Sequence, residues 1–453
     1  MFLAVTLLSL PGAERPAFQT LRYNEDWSFL RDPALRTDPL DPPKFISLSA
    51  DGASYLTLGA DVRERYEYFH NSLWGQGPQD RDGYFLQRYM FHADAHFGEH
   101  FRMFTQFKSS LETDRNGGPR PSDRDDFDVH QLFFDAQTSF VQENSVTLRA
   151  GRQELAYGSS RLISVRESPN VRQSFDGVKT IVKWTSWQVD AFAVKPVETK
   201  RGVFDDGPDP ERNFWGIYAV TPVSFLPGGH VDVYYLGLER DRAEFAQGTA
   251  GELRHSVGTR VWGKKASWDY NAEFVYQFGS FGRGDIRAWT AASDFGYTLA
   301  DWTLQPRFGL KADITSGDHD PNDRDLQTFN PLFPRGAYFS ETALIGPANH
   351  IDVHPSVEAH VSESVTATLD WEFFWRESTH DGIYGNAVNL VRTGQTSDAR
   401  YVGNQCQLLV EWEATRHLML TAAYAHFFAG EFLKESGPGK DVDYASAWIA
   451  FRF

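Results

Sequence analysis

The feature of this sequence that most limits its fold is a long alternation of apolar and polar residues. In LQPRFGLKADIT at 304–315, every second residue from Leu304 to Ile314 is apolar, and the residues between them are polar or glycine. A β-strand places successive side chains on opposite faces, whereas a helix would scatter the same residues around its axis. The segment therefore predicts a strand with one apolar and one polar face.

The same alternation recurs at 56–68, 268–278, 351–361 and 365–376. These runs are about twice as long as an average strand of roughly five or six residues. They match the roughly 9–11 residues that a tilted strand needs to cross a membrane. The sequence contains no run of about 18 apolar residues, which excludes membrane-spanning helices. The mean hydropathy of -0.45 fits spanning strands, because the two faces of each strand cancel.

The pattern predicts eighteen strands, at 54–69, 84–97, 101–112, 128–140, 145–153, 173–184, 187–196, 213–222, 230–238, 252–263, 267–278, 285–297, 302–315, 348–361, 364–376, 400–413, 417–429 and 442–453. The connections after even-numbered strands are short, and those after odd-numbered strands are mostly long. Outer-membrane barrels sort their connections in this way, with short periplasmic turns and long extracellular loops. The predicted fold is therefore all-β: a single transmembrane antiparallel β-barrel of about 18 strands, over residues 51–453, in a bacterial outer membrane.

Both ends of the chain agree with that location. The apolar run at 1–10, followed by Pro11-Gly12-Ala13, predicts a signal peptide over 1–13. The proline-rich residues 14–50 predict an extended periplasmic lead-in. The chain ends VDYASAWIAFRF, with apolar residues at every second position back from Phe453. This ending predicts a final strand that the outer-membrane assembly machinery recognises, in a wall that contacts outer-membrane lipid.

Composition removes several classes of function. Aromatic residues are 15% of the chain, which suits either aromatic girdles at two membrane interfaces or a large soluble β-sheet core. The single cysteine, Cys406, excludes an intramolecular disulfide and cysteine-based metal sites. A net charge of -17 without a basic patch argues against nucleic acid as a partner. The HExxH, GxSxG and P-loop patterns are missing, so we predict neither an enzyme nor a cofactor.

Three blocks of sequence resemble the alginate export family of outer-membrane proteins. The first joins LRYNEDWSFLRDP at 21–33 to LTLGADVRERYE at 56–67. The second joins GRQELAYGSSRLIS at 151–164 to NVRQSFDGVK at 170–179, and the third is TFNPLFPRGAYF at 328–339. The resemblance implies an 18-stranded barrel that exports an anionic polysaccharide such as alginate. It also makes periplasmic export proteins candidate partners.

A polyuronate cargo carries a carboxylate on each sugar, so its path should offer several cations that each bind weakly. Arginine suits this task because its guanidinium pairs with a carboxylate through two hydrogen bonds. The predicted cations of the path are Arg63, Arg65, Arg88, Arg102, Lys108, Arg149, Arg152, Arg161, Arg166, Arg172, Lys179, Lys183, Arg260, Arg307, Lys311 and Arg376. Acidic residues are nearly as numerous on the same face, so pairing across neighbouring strands is the alternative role for each cation.

One level of the barrel is predicted to collect these cations. Arg152, Arg161, Arg166 and Arg172 flank or lie in loop 154–172, and an inward fold of this loop would place them at a constriction. Arg452 on the last strand would join Arg63 of the first strand, because the barrel closes there. In a separate loop, Asp318, Asp320, Asp323 and Asp325 could supply oxygen ligands to Ca²⁺. They lack EF-hand spacing, so we prefer a solvated acidic loop.

The sequence leaves three other functions open. A porin for small anions or sugars would have a similar lumen with a different constriction. A barrel-embedded hydrolase would need a nucleophile constellation that the sequence does not show. A soluble β-rich carbohydrate-binding protein would need its outward aromatic residues buried. The preferred interpretation is a passive export channel.

Overall fold

The computed structural model describes residues 15–140, 144–226 and 228–453. The predicted signal peptide, 1–13, lies outside these residues. Within them the wall has eighteen strands, numbered β1 to β18 in chain order: Tyr55–His70, Tyr84–Phe97, Phe101–Thr113, Asp125–Phe140, Asn144–Gln153, Phe175–Trp184, Trp187–Glu198, Arg212–Val223, Gly229–Phe245, Gly248–Lys265, Trp268–Phe281, Gly284–Thr298, Arg307–Thr315, His350–His360, Val365–Trp375, Tyr401–Thr415, Leu418–Ala429 and Val442–Arg452.

The remaining elements are short. Unnumbered two- or three-residue strands lie at Ile46–Ser47, Gly207–Pro208, Ile383–Tyr384 and Leu390–Arg392. Single helical turns lie at Arg22–Asn24, Ser28–Arg31, Pro33–Leu35, Pro42–Lys44, Ser72–Gly75, Gly394–Thr396 and Glu431–Glu435. No helix among the described residues is long and apolar enough to cross a membrane.

The strands pair antiparallel in chain order, and the first and last strands close the barrel. At this seam Asp61 lies opposite Arg452, and His70 lies opposite Asp443. The closed, 18-stranded antiparallel barrel predicted from the alternation is therefore confirmed. The first strand starts at the barrel end with the short turns, which is periplasmic in outer-membrane barrels.

The two faces of the wall differ as the alternation predicts. Outward aromatic side chains such as Phe91 and Phe134 are more than half exposed, which is the surface that lipid covers. Inward side chains such as Arg88, Gln131 and Arg254 are buried inside the barrel. A soluble sheet would bury these aromatic rings and expose the charged side chains. The opposite arrangement seen here confirms an outer-membrane barrel.

The structure corrects some strand ends. Residues 239–251 were expected to form a long loop, but β9 and β10 continue through them to a turn at 246–247. A second turn at 282–283 joins β11 to β12. These extensions pass beyond the lipid, where the outward face need not be apolar, so the alternation fades. β13 starts at Arg307 rather than 302, because residues 299–306 form a turn closed by a hydrogen bond from Leu299 N to Pro306 O.

Two of the long loops fold into the barrel rather than away from it. Loop 154–174 follows β5 and loop 316–349 follows β13. Ile163 of the first pairs with Phe333 of the second, and both pack against the inward rings of Phe175 and Phe214. The interior of the barrel near the long loops is therefore a packed apolar core.

The segment before β1 also enters the barrel, from the end with the short turns. The Tyr23 ring packs edge-on against the inward rings of Phe104 and Phe133, with centroids 5.9 and 5.4 Å away. Arg22 donates to the main-chain oxygens of Ala60, at 3.0 Å, and Phe453, at 2.7 Å. Residues 15–50, predicted as an extended lead-in, thus pack into the periplasmic mouth.

Lys44 of this segment has a buried charged group without a hydrogen-bond partner. Its ammonium lies among the rings of Trp27, Phe453 and Phe18, at 4.9, 5.4 and 5.9 Å from their centroids. Burial, with a contribution from nearby Arg22, lowers the pKa of Lys44 to about 7.

Candidate functional site

The lumen contains a cluster of arginines around one loop carboxylate, that of Glu167. Arg88 binds both the side chain and the main-chain oxygen of Glu167. The guanidinium of Arg172 lies 3.0 Å and that of Arg452 3.5 Å from the same carboxylate. Arg63 donates to the Glu167 main-chain oxygen at 2.9 Å. Glu167 is therefore one anchor of the inward loop 154–174, and Asn170, which donates to the main-chain oxygens of Gln87, Leu111 and Asp123, is another.

Charge in this cluster favours the ionised carboxylate. Burial alone would raise the pKa of Glu167, but Arg88, Arg172 and Arg452 hold that pKa well below its ordinary value. Asp61 on β1 contributes a second negative charge, 2.7 Å from Arg452 and 3.7 Å from Arg88. Of the cations predicted for one level, Arg172, Arg63 and Arg452 come together here, and the protein's own acids neutralise part of their charge. Arg161 lies elsewhere, beside Glu273, and Arg152 lies beside Asp176.

Most of the other predicted cations have a carboxylate partner as well. The pairs, with their nitrogen–oxygen distances, are Arg65–Glu67 at 2.7 Å, Arg65–Glu341 at 2.8 Å, Arg102–Asp94 at 2.6 Å, Lys108–Asp125 at 2.6 Å, Arg149–Asp135 at 2.8 Å, Arg152–Asp176 at 2.8 Å, Arg161–Glu273 at 3.3 Å, Lys179–Asp190 at 3.5 Å, Arg260–Asp232 at 3.0 Å and Arg307–Asp294 at 3.3 Å. Cross-strand pairing is therefore the rule for these side chains, and their role toward cargo stays a prediction.

Five predicted cations make no ion pair within the described residues, and one of them is Arg63, which donates to main-chain oxygens of Glu167 and Pro169. Arg376 instead donates to main-chain oxygens of loop 376–400, which it shapes. Lys183 is exposed near the short turns, and Arg166 lies on the inward loop. Lys311 lies on the inward face of β13 and makes neither a hydrogen bond nor an ion pair within the described residues.

A small cavity of about 30 Å³, which is the size of a water molecule, lies beside Lys311, between the wall and the two inward loops. β11 to β14 supply one side of it, and the loops supply Ser159, Arg161, Arg335, Tyr338 and Phe339. Arg335 was not predicted from the sequence, because loop residues carry no alternation. Its one sequence signal is its place inside TFNPLFPRGAYF, the third block.

Two groups of side chains have the spacing of metal ligands. Oxygen and nitrogen atoms of Asp313, His350 and Asp352 lie within 4.8 Å of one another, so they could hold a divalent cation. His350 already contacts Asp352 at 3.0 Å and hydrogen-bonds Thr315.

In the second group, Asp125, Asp128 and Asp206, the Lys108 ammonium takes the place of a metal. It lies 2.6 Å from Asp125 and 2.9 Å from Asp206. The acidic loop considered for Ca²⁺ uses its carboxylates differently. Asp318 accepts hydrogen bonds from the main-chain nitrogens of Asp320 and Gln327, and Asp323 accepts one from Asp325.

The comparison with protein families decides the relationship of this barrel to known proteins. The sequence profile described as alginate export matches residues 54–447, which is most of the chain. The chain belongs to the alginate export family. The second and third blocks that resemble this family lie largely in the two loops that meet inside the barrel, through Ile163 and Phe333. No sequence among the curated proteins matches this family member.

Solved structures similar to this alginate export family member are outer-membrane channels. OccK8 (OprE) of Pseudomonas aeruginosa has a TM-score of 0.59 at 11% identity, over 88% of this chain and 98% of that chain. A BenF-like porin of Pseudomonas fluorescens Pf-5 has a TM-score of 0.59 at 10% identity, over 88% and 98%. OccK2 (OpdF) of Pseudomonas aeruginosa, in complex with glucuronate, has a TM-score of 0.57 at 10% identity, over 88% and 96%. At such identities the likeness concerns the fold alone.

Proposed function

We propose that this protein is an outer-membrane channel for passive export of an anionic polysaccharide of the polyuronate class. The observation that carries the proposal is the binding of Glu167 by Arg88, Arg172 and Arg452 where loop 154–174 crosses the lumen. These arginines already bind one carboxylate in the path. A carboxylate of a passing sugar can take the place of Glu167, because the two groups present the same oxygens.

Exchange of carboxylates suits transport better than tight binding does. Each sugar leaves an arginine when the next carboxylate arrives, so the polymer meets many sites of moderate affinity. Loop 154–174 has to move for this to happen, since it occupies the lumen. Proteins of the periplasm that deliver the polymer are the partners that such a channel needs. No cofactor takes part.

The test is single-channel recording in planar bilayers with added oligouronates. We expect an anion-selective current that oligouronates block at micromolar to millimolar concentration. Neutral oligosaccharides of equal length are the control and should block little. The double variant Arg88→Gln/Arg172→Gln should weaken the block. Cation preference, or a stable current that oligouronates leave unchanged, would contradict polyuronate export.

A channel for small anions or sugars is the second candidate, and two proteins of similar fold with bound small carboxylates favour it. OpdK with vanillate and OccK2 with glucuronate, both similar in fold, were solved with small carboxylates. Under this alternative, free uronic acids would cross vesicle membranes that contain the protein, whereas long oligouronates would not.

A further inference from the structure

Two inward carboxylates, those of Asp313 and Asp352, lie directly opposite each other on β13 and β14. Both residues are buried, and Asp352 is only 2% exposed. Like charges at paired positions of neighbouring strands repel each other, and burial strengthens the repulsion because little water screens it. This pair of carboxylates therefore needs a proton or a cation to balance it.

The arginines and lysines of the wall and loops do not balance this pair. Arg161 lies 3.9 Å from Asp313, but it lies closer to Glu273, at 3.3 Å. Asp352 has no arginine or lysine partner within the described residues, and its one ionic contact is with His350 at 3.0 Å. The charge of Asp352 is therefore largely uncompensated by the protein.

The surroundings of the pair carry more negative than positive charge. Lys311 and Arg335 line the small cavity beside the pair, but neither makes an ion pair within the described residues. Asp370 and Glu372 of β15 add two carboxylates, which lie 3.0 and 3.3 Å from the neighbouring His354. Together with the pair, four acids face these two cations, so a further positive charge is favoured here.

His350 adds a nitrogen ligand to the two carboxylates. Its Nε2 lies 3.0 Å from Asp352 Oδ1, and ligand atoms of Asp313, His350 and Asp352 lie within 4.8 Å of one another. Two ligands of one tetrahedral Zn²⁺, each about 2.0–2.1 Å from the ion, are about 3.3 Å apart. His350 Nδ1 contacts the Thr315 hydroxyl, and a contact of this kind orients the ring of a metal-binding histidine.

One oxygen of the buried Asp352 carboxylate has no partner. Oδ1 faces His350, whereas no hydrogen bond within the described residues reaches Oδ2. Asp352 and Asp313 both line the cavity of about 30 Å³, which has room for one water molecule. Zn²⁺ in proteins is often held by three protein ligands and one water, which is the set that this place offers.

We propose that Asp313, His350 and Asp352 bind a divalent transition-metal ion of the Zn²⁺ type. An imidazole nitrogen suits such ions, whereas Mg²⁺ and Ca²⁺ prefer oxygen ligands. The ion lies at the root of the inward loop 316–349, since Thr315 ends β13 before the loop and His350 begins β14 after it. Asp313 also accepts from the hydroxyl of Tyr338 in that loop at 3.2 Å. The bound ion therefore holds the loop inside the barrel.

The experiment is isothermal titration of the purified, detergent-solubilised protein with ZnCl₂, after a chelator has removed bound metal. Asp352→Asn and His350→Gln should each lower the Zn²⁺ affinity by more than about tenfold, because even the loss of an outer-shell partner costs about 10–100-fold. MgCl₂ should bind more weakly than ZnCl₂ to the unaltered protein. Asp352→Asn keeps the shape of the side chain and removes one of two like charges, so this barrel should fold.

Matched control variants make the same changes at buried lumen residues outside the site. His354→Gln changes the next inward histidine of β14, and Asp190→Asn changes an inward acid of β7 that pairs with Lys179. Both should bind Zn²⁺ about as the unaltered protein does. The β-sheet circular dichroism of every variant checks that the barrel is folded.

Hydrogen exchange of loop 316–349 tests the role of the ion. Zn²⁺ should slow exchange of this loop in the unaltered protein and leave it unchanged in Asp352→Asn. Unaltered Zn²⁺ affinity in both Asp352→Asn and His350→Gln would mean that the ion binds elsewhere, and it would overturn the proposal. A folded protein that binds no Zn²⁺ would overturn it as well. Binding that depends on both residues without slower exchange would support the site and overturn its hold on the loop.

Discussion

At the scale of single residues, the lumen shows that counting cations does not give the charge of a pore. Arg65 and Arg149 face the lumen as predicted, but each lies beside a carboxylate at 2.7–2.8 Å. An ion pair presents little net charge to a passing ion, and it also stiffens the wall. The residues that matter for an anion are those left over, such as Lys311, or those whose partner can leave, such as Arg88.

Glu167→Gln tests whether the arginine cluster lies on the ion path. The change removes one negative charge, so Arg88, Arg172 and Arg452 attract anions more strongly. At about 10 Å in water one charge is worth about 0.4 kcal/mol, which is about a twofold change in local ion concentration. The local chloride concentration rises about twofold and the local potassium concentration falls about twofold. The chloride-to-potassium permeability ratio should therefore rise about fourfold. The reversal potential in a KCl gradient measures this ratio.

Glu198→Gln is the matched control for that measurement. Glu198 is an exposed acid at the end of β7 and lies 3.9 Å from Lys200. It faces bulk solvent, where salt screens its charge, so the ratio should stay as it is in the unaltered protein. A Glu167→Gln channel with an unchanged ratio would show that ions pass elsewhere.

At the scale of elements, the segment at 15–50 packs into the periplasmic mouth, and we call it the plug. Arg102 donates to the Tyr23 main-chain oxygen at 2.6 Å, and Arg172 donates to that of Thr20 at 2.8 Å. Lumen arginines thus hold the segment as well as the inward loop. Any polymer entering from the periplasm has to displace these contacts first.

Tyr23→Ala should loosen this plug. The ring is buried between Phe104 and Phe133, and removing a buried aromatic ring from a core costs about 3–5 kcal/mol. We expect faster hydrogen exchange of residues 18–30 and longer or larger single-channel openings, with β-sheet content unchanged. Phe225→Ala in the exposed β8–β9 turn removes a similar ring at the same barrel end and should change neither. Equal exchange rates for Tyr23→Ala and the unaltered protein would contradict the plug.

The strands could be predicted from the sequence, whereas the loop and plug positions could not. Alternation locates the strands because lipid outside and polar groups inside impose opposite demands on each residue. It fails at 239–251, where β9 and β10 extend past the lipid and charged residues occupy both faces. It cannot place Arg335 or Tyr23, since both lie in segments without regular structure. Their positions depend on contacts with distant strands that only the folded barrel brings together.

At the scale of the whole molecule, closure of the wall and filling of the lumen depend on each other. Asp61 pairs with Arg452 across the β1–β18 seam at 2.7 Å, and both contact the cluster that holds loop 154–174. Arg22 of the plug binds at the same seam, through Ala60 and Phe453. The seam therefore joins the wall, the inward loop and the plug in one network.

Removal of residues 451–453 should therefore prevent assembly of the barrel. The truncation deletes the pairings of Phe451 with Val62 and of Arg452 with Asp61, and the main-chain hydrogen bonds between Phe453 and Ala60. It also shortens the strand that we expect the assembly machinery to recognise. The measurement is the fraction of protein in outer membranes that migrates as a heat-modifiable barrel, and this fraction should fall by most of its value. Phe308→Ala, which removes an outward ring of β13 away from the seam, should leave it nearly unchanged. A truncated chain that assembles as well as the Phe308→Ala protein would mean that the other strand pairings close the barrel without this seam.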